Sequence, residues 1–170
     1  RLNSGWSPIG TSIGTGGTVE VLGGIWAAGG GMYLDGILRV FSGGTLETSG
    51  IVAFGSNGGL ATATVRGTGS SWDATFGAGT RKWTIGGPGT GTGLLQVEQG
   101  ATVRSAEVQI GGTGAAASDG EASVTGLDSL WDISTALAVG YDGNGVLGIE
   151  SGSIVRTVAD VSIGARVLGR

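Results

Sequence analysis

The sequence has no cysteine, no histidine and a single lysine, Lys82. Without cysteine and histidine the chain cannot form a disulfide bond, a zinc site of the His/Cys kind, a Ser-His-Asp triad or a thiol nucleophile within itself. A pair of carboxylates could still cleave a glycosidic bond. These absences therefore exclude several classes of enzyme, but not one that works with a pair of carboxylates.

Charge is also scarce. Charged residues make up 13% of the chain and the net charge is −4, so the surface does not attract nucleic acid or anionic lipid by charge. No apolar run approaches the ~20 residues that a membrane-spanning helix needs. We therefore expect no nucleic-acid partner and no direct insertion of this segment into a membrane.

Glycine is the residue in excess, with 39 among 170 residues. Such a share approaches the level typical of disordered, low-complexity chains. However, 39% of the residues are hydrophobic, and the low charge leaves little self-repulsion to keep the chain open. The glycines follow no Gly-X-Y period, which excludes collagen.

Internal repeats are the strongest signal in the sequence. Three segments align without gaps: 36–48, 93–105 and 145–157. The matched positions are Leu38, Leu95 and Leu147; Val40, Val97 and Ile149; and Gly43, Gly100 and Gly152. One repeat is therefore about 50 to 60 residues long, as for other tandem-repeat architectures.

A second motif, Val-x-Gly-x-x-Ser-x-Trp-Asp, lies between these segments. It ends in Trp72-Asp73 and again in Trp131-Asp132, and Trp26 keeps the same spacing from Val19. We divide the chain, taken as one β-helix fragment over 1–170, into a partial unit 1–35, units 36–92 and 93–144, and a partial unit 145–170. Insertions fall in the glycine-rich stretches Gly77–Lys82 and Gly111–Gly120, as expected for surface loops.

Within each unit the apolar residues alternate with a period of two, as in Leu95-x-Val97 and Val108-x-Ile110, which is typical of short β-strands. Short strands in tandem, separated by glycine turns, predict an all-β fold in which successive coils stack: a parallel β-helix. A two-sheet sandwich would not require equivalent residues to recur at this spacing. A propeller would, and it is the main alternative.

The chain resembles the glycine-rich repeat of autotransporter passenger domains and of related PEP-CTERM exported bacterial proteins. The resemblance rests on Ser129–Ile133, Leu137–Gly140, Gly143–Gly145 and Leu147–Gly152. It implies a right-handed parallel β-helix, exported to the bacterial cell surface or secreted. It also implies that further β-helix coils and a translocator barrel belong to the same parent chain, and we read the sequence as a piece of something longer.

The recurring tryptophans, Trp26, Trp72 and Trp131, admit two interpretations. Exposed, stacked rings could form a sugar-binding platform, whereas buried rings would pack a corner of each coil. A binding site seldom needs one copy per repeat, so the structural interpretation is favoured.

The candidate polar sites also admit a binding or catalytic interpretation and a structural one. Asp73 and Asp132 could serve acid/base hydrolysis or bind Ca²⁺, but we expect each to accept a backbone N–H in the adjacent turn. Asp142–Gly145 looks faintly like part of a Ca²⁺ loop and is favoured as an Asx turn. Gly86–Gly93 lacks the ending of a phosphate-binding loop and is predicted to be a turn. The remaining candidates lie at outward positions: Arg39, Arg104 and Arg156, with Glu47 at the equivalent position in the first unit. We expect such an Arg/Glu row to be a solvated edge of the stack, and the alternative is a weak carboxylate- or glycan-contacting strip.

We therefore predict no catalytic residue, no metal and no cofactor. The predicted function is that of a stalk or passenger segment of a surface autotransporter, adhering to a host surface protein, matrix or glycan, or to neighbouring cells. Two alternatives remain open. One is a polysaccharide-active β-helix enzyme, and the other is a purely structural filament or surface protein.

Overall fold

The computed structural model describes residues 10–75, 81–87, 90–112 and 118–164, and these residues form three sheets. Sheet A contains β1 (Thr11–Ile13), β4 (Met32–Leu34), β7 (Val52–Phe54), β10 (Lys82–Ile85), β13 (Glu107–Ile110), β16 (Leu137–Val139) and β19 (Val161–Ile163). Sheet B contains β2 (Thr18–Leu22), β5 (Ile37–Phe41), β8 (Leu60–Arg66), β11 (Thr92–Glu98), β14 (Asp119–Thr125) and β17 (Asn144–Glu150). Sheet C contains β3 (Ile25–Ala28), β6 (Thr45–Thr48), β9 (Ser71–Asp73), β12 (Thr102–Ser105), β15 (Leu130–Ile133) and β18 (Ile154–Thr157).

The chain visits the sheets in the fixed order A, B, C, and each strand pairs in parallel with the strand three positions later. Coil 1 is therefore β1–β3, coil 2 is β4–β6, and so on to coil 6, β16–β18. β19 begins coil 7. This arrangement confirms the predicted parallel β-helix and excludes the propeller. The right-handed sense stays a prediction from the resemblance.

Each repeat of about 50 to 60 residues spans two coils. Leu38, Leu95 and Leu147 lie on sheet B in coils 2, 4 and 6, with Ala63 and Ala122 between them in register. One coil advances the chain by as little as 19 residues, from Val19 to Leu38. The in-register partners Ala63 and Leu95 are 32 residues apart.

The two-coil period follows from how large and small side chains alternate in the core. On sheet C the inward row reads Trp26, Leu46, Trp72, Val103, Trp131 and Val155. Alanine occupies the matching inward position on sheet B in coils 3 and 5, where sheet C carries tryptophan. Leucine occupies that position in coils 2, 4 and 6, where sheet C carries Leu or Val. Because interiors are close-packed, a large ring on one wall is matched by a small residue on another. We call coils 1, 3 and 5 tryptophan coils, and coils 2, 4 and 6 aliphatic coils.

The two motifs found in the sequence correspond to two ways of turning from sheet B to sheet C. In aliphatic coils a pair of residues with positive φ makes the turn, as with Gln99 (φ 56°) and Gly100 (φ 79°). In tryptophan coils the serine of the motif contacts the turn glycine of the preceding aliphatic coil: Ser129 Oγ accepts a hydrogen bond of 2.9 Å from Gly100 N. Ser70 does the same for Gly43 N at 3.1 Å. The motif serine thus joins neighbouring coils, which explains its recurrence beside tryptophan.

The centre of the core departs from the repeat. Trp83 occupies on sheet A an inward position that Val52 and Val108 hold in the neighbouring coils. Its ring lies 4.4 Å from that of Trp72 and 6.4 Å from that of Trp131, measured between centroids. An aromatic cluster therefore spans coils 3 to 5, and all of these rings are fully buried.

Candidate binding surface

The three recurring tryptophans do not form an exposed platform. Trp72 and Trp131 are fully buried and Trp26 is 8% exposed. Trp72 Nε1 donates to Thr48 Oγ1, and Trp131 Nε1 donates to Ser105 Oγ, both at 3.0 Å. The rings of Trp72 and Trp131 thus place their apolar part in the core and their N–H on a hydroxyl of the preceding coil. A sugar could not stack on these rings without unfolding the coil.

Five charged side chains form a line along the outer face of sheet C, which we call the charged row: Glu47, Asp73, Arg104, Asp132 and Arg156. Strand pairing places one member in each coil from 2 to 6, on the outer face. From Asp73 onward acid and base alternate. Arg104 Nη1 lies 3.6 Å from Asp73 Oδ2, and Arg156 Nη2 lies 2.7 Å from Asp132 Oδ2.

The two aspartates have different hydrogen-bond partners. Asp73 Oδ1 accepts the backbone N–H of Thr75 at 2.9 Å and its hydroxyl at 2.6 Å, as expected for an Asx turn. Asp132 is held by Arg156 in a two-pronged ion pair, in which Nε donates to Oδ1 at 2.8 Å and Nη2 to Oδ2. The predicted hydrogen bond from a turn N–H is therefore found at Asp73, whereas the hydrogen-bond donor found at Asp132 is an arginine.

Asp132 is not suited to act as a general acid. Asp73 and Asp132 lie two coils apart, about 10 Å along the stack, and Arg104 of the intervening coil lies between them. The hydrogen bond from Arg156 lowers the pKa of Asp132 below its ordinary range, with a further contribution from the charges of Arg156 and Arg104. A carboxyl that stays ionised at neutral pH cannot serve as the proton donor that glycoside hydrolysis requires.

Removing the carboxylate of Asp132 tests this ion pair. Because the folded-state pKa is lowered, its stabilising contribution is present above the ordinary carboxyl pKa and is lost as the pH falls through the folded-state value. We expect Asp132→Asn to lower the thermal unfolding midpoint slightly at neutral pH, because both groups are largely solvated. The difference from the parent should vanish in acid.

Glu47→Gln is the matched control for that measurement. Glu47 lies in the same row beside Asp73, a like charge. Its removal should leave the midpoint unchanged or slightly raised at neutral pH. If Asp132→Asn were as harmless as Glu47→Gln across the pH range, the ion pair would have no part in stability.

The structure separates the arginines that sequence analysis grouped. Arg104 and Arg156 lie on sheet C with Glu47, as expected, but Arg39 lies on the outer face of sheet B. There its Nη1 donates to Glu20 Oε1 at 3.1 Å. A single arginine strip is therefore wrong, because the segments that align in sequence contain strands of two different sheets.

The structure describes one of the two remaining loop candidates in full and the other in part. Asn144, at the end of the Asp142–Gly145 segment, donates from Nδ2 to Asp119 Oδ1 at 2.8 Å. Within the described ranges, no group of three or more acidic residues could hold a metal ion. Gly86–Gly93 runs from the end of β10 into the first two residues of β11. Its residues 88 and 89 lie outside the described part of the chain, as do residues 77–80 and 113–117 of the predicted insertions.

A shallow groove that no sequence motif indicated lies at the corner between sheets B and C. It has a volume of about 340 Å³ and is lined by Phe41, Ser42, Arg66, Gly67 and Gln99. Two of the lining residues are joined by a hydrogen bond of 2.9 Å, in which Arg66 Nε donates to Gln99 Oε1. The residues that line the groove come from three successive coils of unequal length, so no regular spacing in the sequence indicates it.

Comparison of the chain with protein-family models, with curated proteins and with solved structures gives no match. In the part of the chain that the structure describes, no helix is long and apolar enough to cross a membrane. The resemblance to autotransporter repeats therefore remains a prediction from the sequence motifs.

Proposed function

We propose that this chain is a non-catalytic stalk or passenger segment of a bacterial surface autotransporter, and that it acts by adhesion to host or neighbouring cells. The observation that carries the proposal is the in-register stack. Each coil adds about 5 Å of length and repeats the same outer positions. Such a rod extends reach and presents many equivalent surface groups.

The outer faces fit weak, repeated contacts. The guanidinium-bearing side chains of Arg104 and Arg156 are 51% and 61% exposed although they are paired, so part of each remains accessible to a carboxylate or a glycan hydroxyl. The side chain of Arg66, over the corner groove, is 53% exposed. Individually weak contacts of this kind become useful when many act at once.

Avidity is therefore the property to measure. Beads coated with the purified chain at increasing density should bind host cells, matrix proteins or a glycan array with steeply rising retention, whereas the free monomer should bind weakly. A folding-deficient variant, such as Gly120→Ala, coated at the same density controls for non-specific adhesion. Density-independent retention, or equal retention of the unfolded variant, would contradict adhesion.

The two alternative functions give different results in parallel assays. Release of oligosaccharides from an acidic polysaccharide would show an enzyme, despite the ionised state of Asp132. Concentration-dependent growth of the purified chain into filaments, without affinity for cells or matrix, would show a structural polymer.

A further inference from the structure

The corner groove between sheets B and C brings together four kinds of side chain. An aromatic ring, a hydroxyl, a guanidinium and an amide line it, from Phe41, Ser42, Arg66 and Gln99. Its volume of about 340 Å³ is at the small end of the range for ligand sites. The groove therefore suits a short ligand that has both apolar and polar surface.

We infer that the corner groove binds an acidic sugar, that is, a pyranose that carries a carboxylate, as uronic and sialic acids do. Arg66 binds the carboxylate, the ring of Phe41 packs against the C–H face of the sugar, and Gln99 and Ser42 bind its hydroxyls. This site supplies a ligand class for the proposed adhesion, and as an adhesive site it rests on that proposed function. Three observations support it.

The first observation is that the chemistry of the groove does not recur with the repeat. At the equivalent corner two coils further along, an acid, a threonine and a serine replace the ring, the guanidinium and the amide: Glu98, Thr125 and Ser151. Residues that fill the core recur at equivalent positions, as the tryptophans do, because neighbouring repeats enclose the same space. Packing of the repeat therefore does not account for a surface ring beside a guanidinium at one of the two corners.

The second observation is the way in which Arg66 is held. Its Nε donates to Gln99 Oε1 at 2.9 Å and lies 3.9 Å from Glu98 Oε2. Among the described residues, none accepts a hydrogen bond from Nη1 or Nη2 of Arg66. In Arg104 and Arg156, by contrast, a terminal nitrogen faces an aspartate. Arg66 is thus positioned through Nε and keeps the pair of terminal nitrogens with which a guanidinium can bind a carboxylate.

The third observation favours a sugar over an acidic peptide. The strands beside the groove, β5, β8 and β11, are each paired on both sides, so the corner offers no free edge to which a peptide could add as a strand. A pyranose needs no such edge, because its C–H face packs on an aromatic ring and its hydroxyls bind side chains. Ser42 and Gln99 are both exposed and provide a hydroxyl and an amide for this purpose.

Glu98 opposes the binding of an anion. It follows Arg66 in register in the next coil, and its carboxylate repels that of a ligand bound to Arg66. A single groove should therefore bind weakly, as expected for a contact that acts through multivalency. The neighbouring acid also makes possible a test in which two substitutions have opposite effects.

Titration of the isotope-labelled chain with sugars, followed by nuclear magnetic resonance, tests the inference. The acidic probes are a galacturonic acid trisaccharide and sialyllactose, and the uncharged controls are the methyl ester of the first and lactose. We expect the acidic sugars to shift the amide signals of residues 41–43, 66–67 and 99–100. The uncharged sugars should bind at least about tenfold more weakly, because the charged hydrogen bond to Arg66 is lost. Binding of one acidic sugar alone would support the inference and identify the acid.

Three variants locate the site. Arg66→Gln should weaken binding of the acidic sugar by about tenfold or more, whereas Glu98→Gln should strengthen it, because a like charge is removed. Lys82→Gln removes a positive charge from sheet A, away from the groove, and should leave the affinity unchanged. Thermal unfolding shows that each variant is folded, and a gain of affinity in Glu98→Gln cannot arise from unfolding.

Several results would overturn the inference: unchanged affinity in Arg66→Gln, equal binding of the methyl ester, or equal binding of a capped triglutamate peptide. The bead assay distinguishes this failure from failure of the proposed adhesion. Sugar binding in the groove without retention of coated beads would contradict adhesion and leave the site in place. Retention of beads without any sugar binding would overturn the site and leave adhesion in place.

Discussion

Replacing Gly120 by alanine is expected to prevent stable folding of the stack. Gly120 is the first inward position of β14, where sheet A turns into sheet B, and a Cβ there would overlap Ile85 O and Gly111 N. Those two atoms form a hydrogen bond of 2.9 Å between coils 4 and 5. Neither atom can move away without breaking this hydrogen bond between coils. We therefore expect the substitution to lower the free energy of unfolding by more than the ~1–3 kcal/mol usual for overpacking. Chemical unfolding followed by far-ultraviolet circular dichroism measures it.

Gly148→Ala is the matched control. Gly148 lies on the outer face of β17, and a Cβ there has no neighbour closer than 4.0 Å. Because glycine weakens a strand interior, this substitution should be neutral or slightly stabilising. A Gly120→Ala protein as stable as the parent would mean that the corner between sheets A and B is looser than its backbone contacts imply.

Contacts of the same kind explain why glycine recurs at the corner between sheets A and B. Glycine recurs at Gly93, Gly120 and Gly145, in register, because the backbone of the preceding corner fills the space of a side chain at each. Steric demands of this kind act locally and therefore leave a regular trace in the sequence. The all-β parallel β-helix itself was predicted from the period of two and from the glycine turns that separate the short strands in tandem.

The number of coils in each repeat could not be predicted as easily. The match between Leu38 and Leu95 skips Ala63, since alanine and leucine do not look equivalent although they share one row. Packing across the core, rather than along the chain, makes them equivalent. The corner groove was not predicted for a related reason: it combines residues from coils of unequal length. The sequence indicated that Arg104 and Arg156 share a row with Glu47, but not that Asp73 and Asp132 lie in the same row.

The second large effect is expected at Trp131. Its ring is fully buried, contacts the aromatic cluster through Trp83 and donates to Ser105 Oγ. Trp131→Val leaves a cavity and an unpaired hydroxyl, and we expect a loss of about 3–5 kcal/mol, the range for truncating buried aromatic side chains. Urea unfolding monitored by circular dichroism measures the loss, with the remaining tryptophans as a second probe.

A double variant tests why coils alternate. Ala122 is the small residue on sheet B in the same coil as Trp131. Alone, Ala122→Leu should overpack the core at a cost of about 1–3 kcal/mol. Combined with Trp131→Val, it reproduces the pairing that Leu95 and Val103 make in coil 4, so the double variant should be more stable than the sum of the single losses predicts. Recovery would not be complete, because Ser105 still lacks its indole donor. If the two losses simply added, the alternation of large and small residues would have another origin, and the repeat of two coils would not arise from complementary volumes.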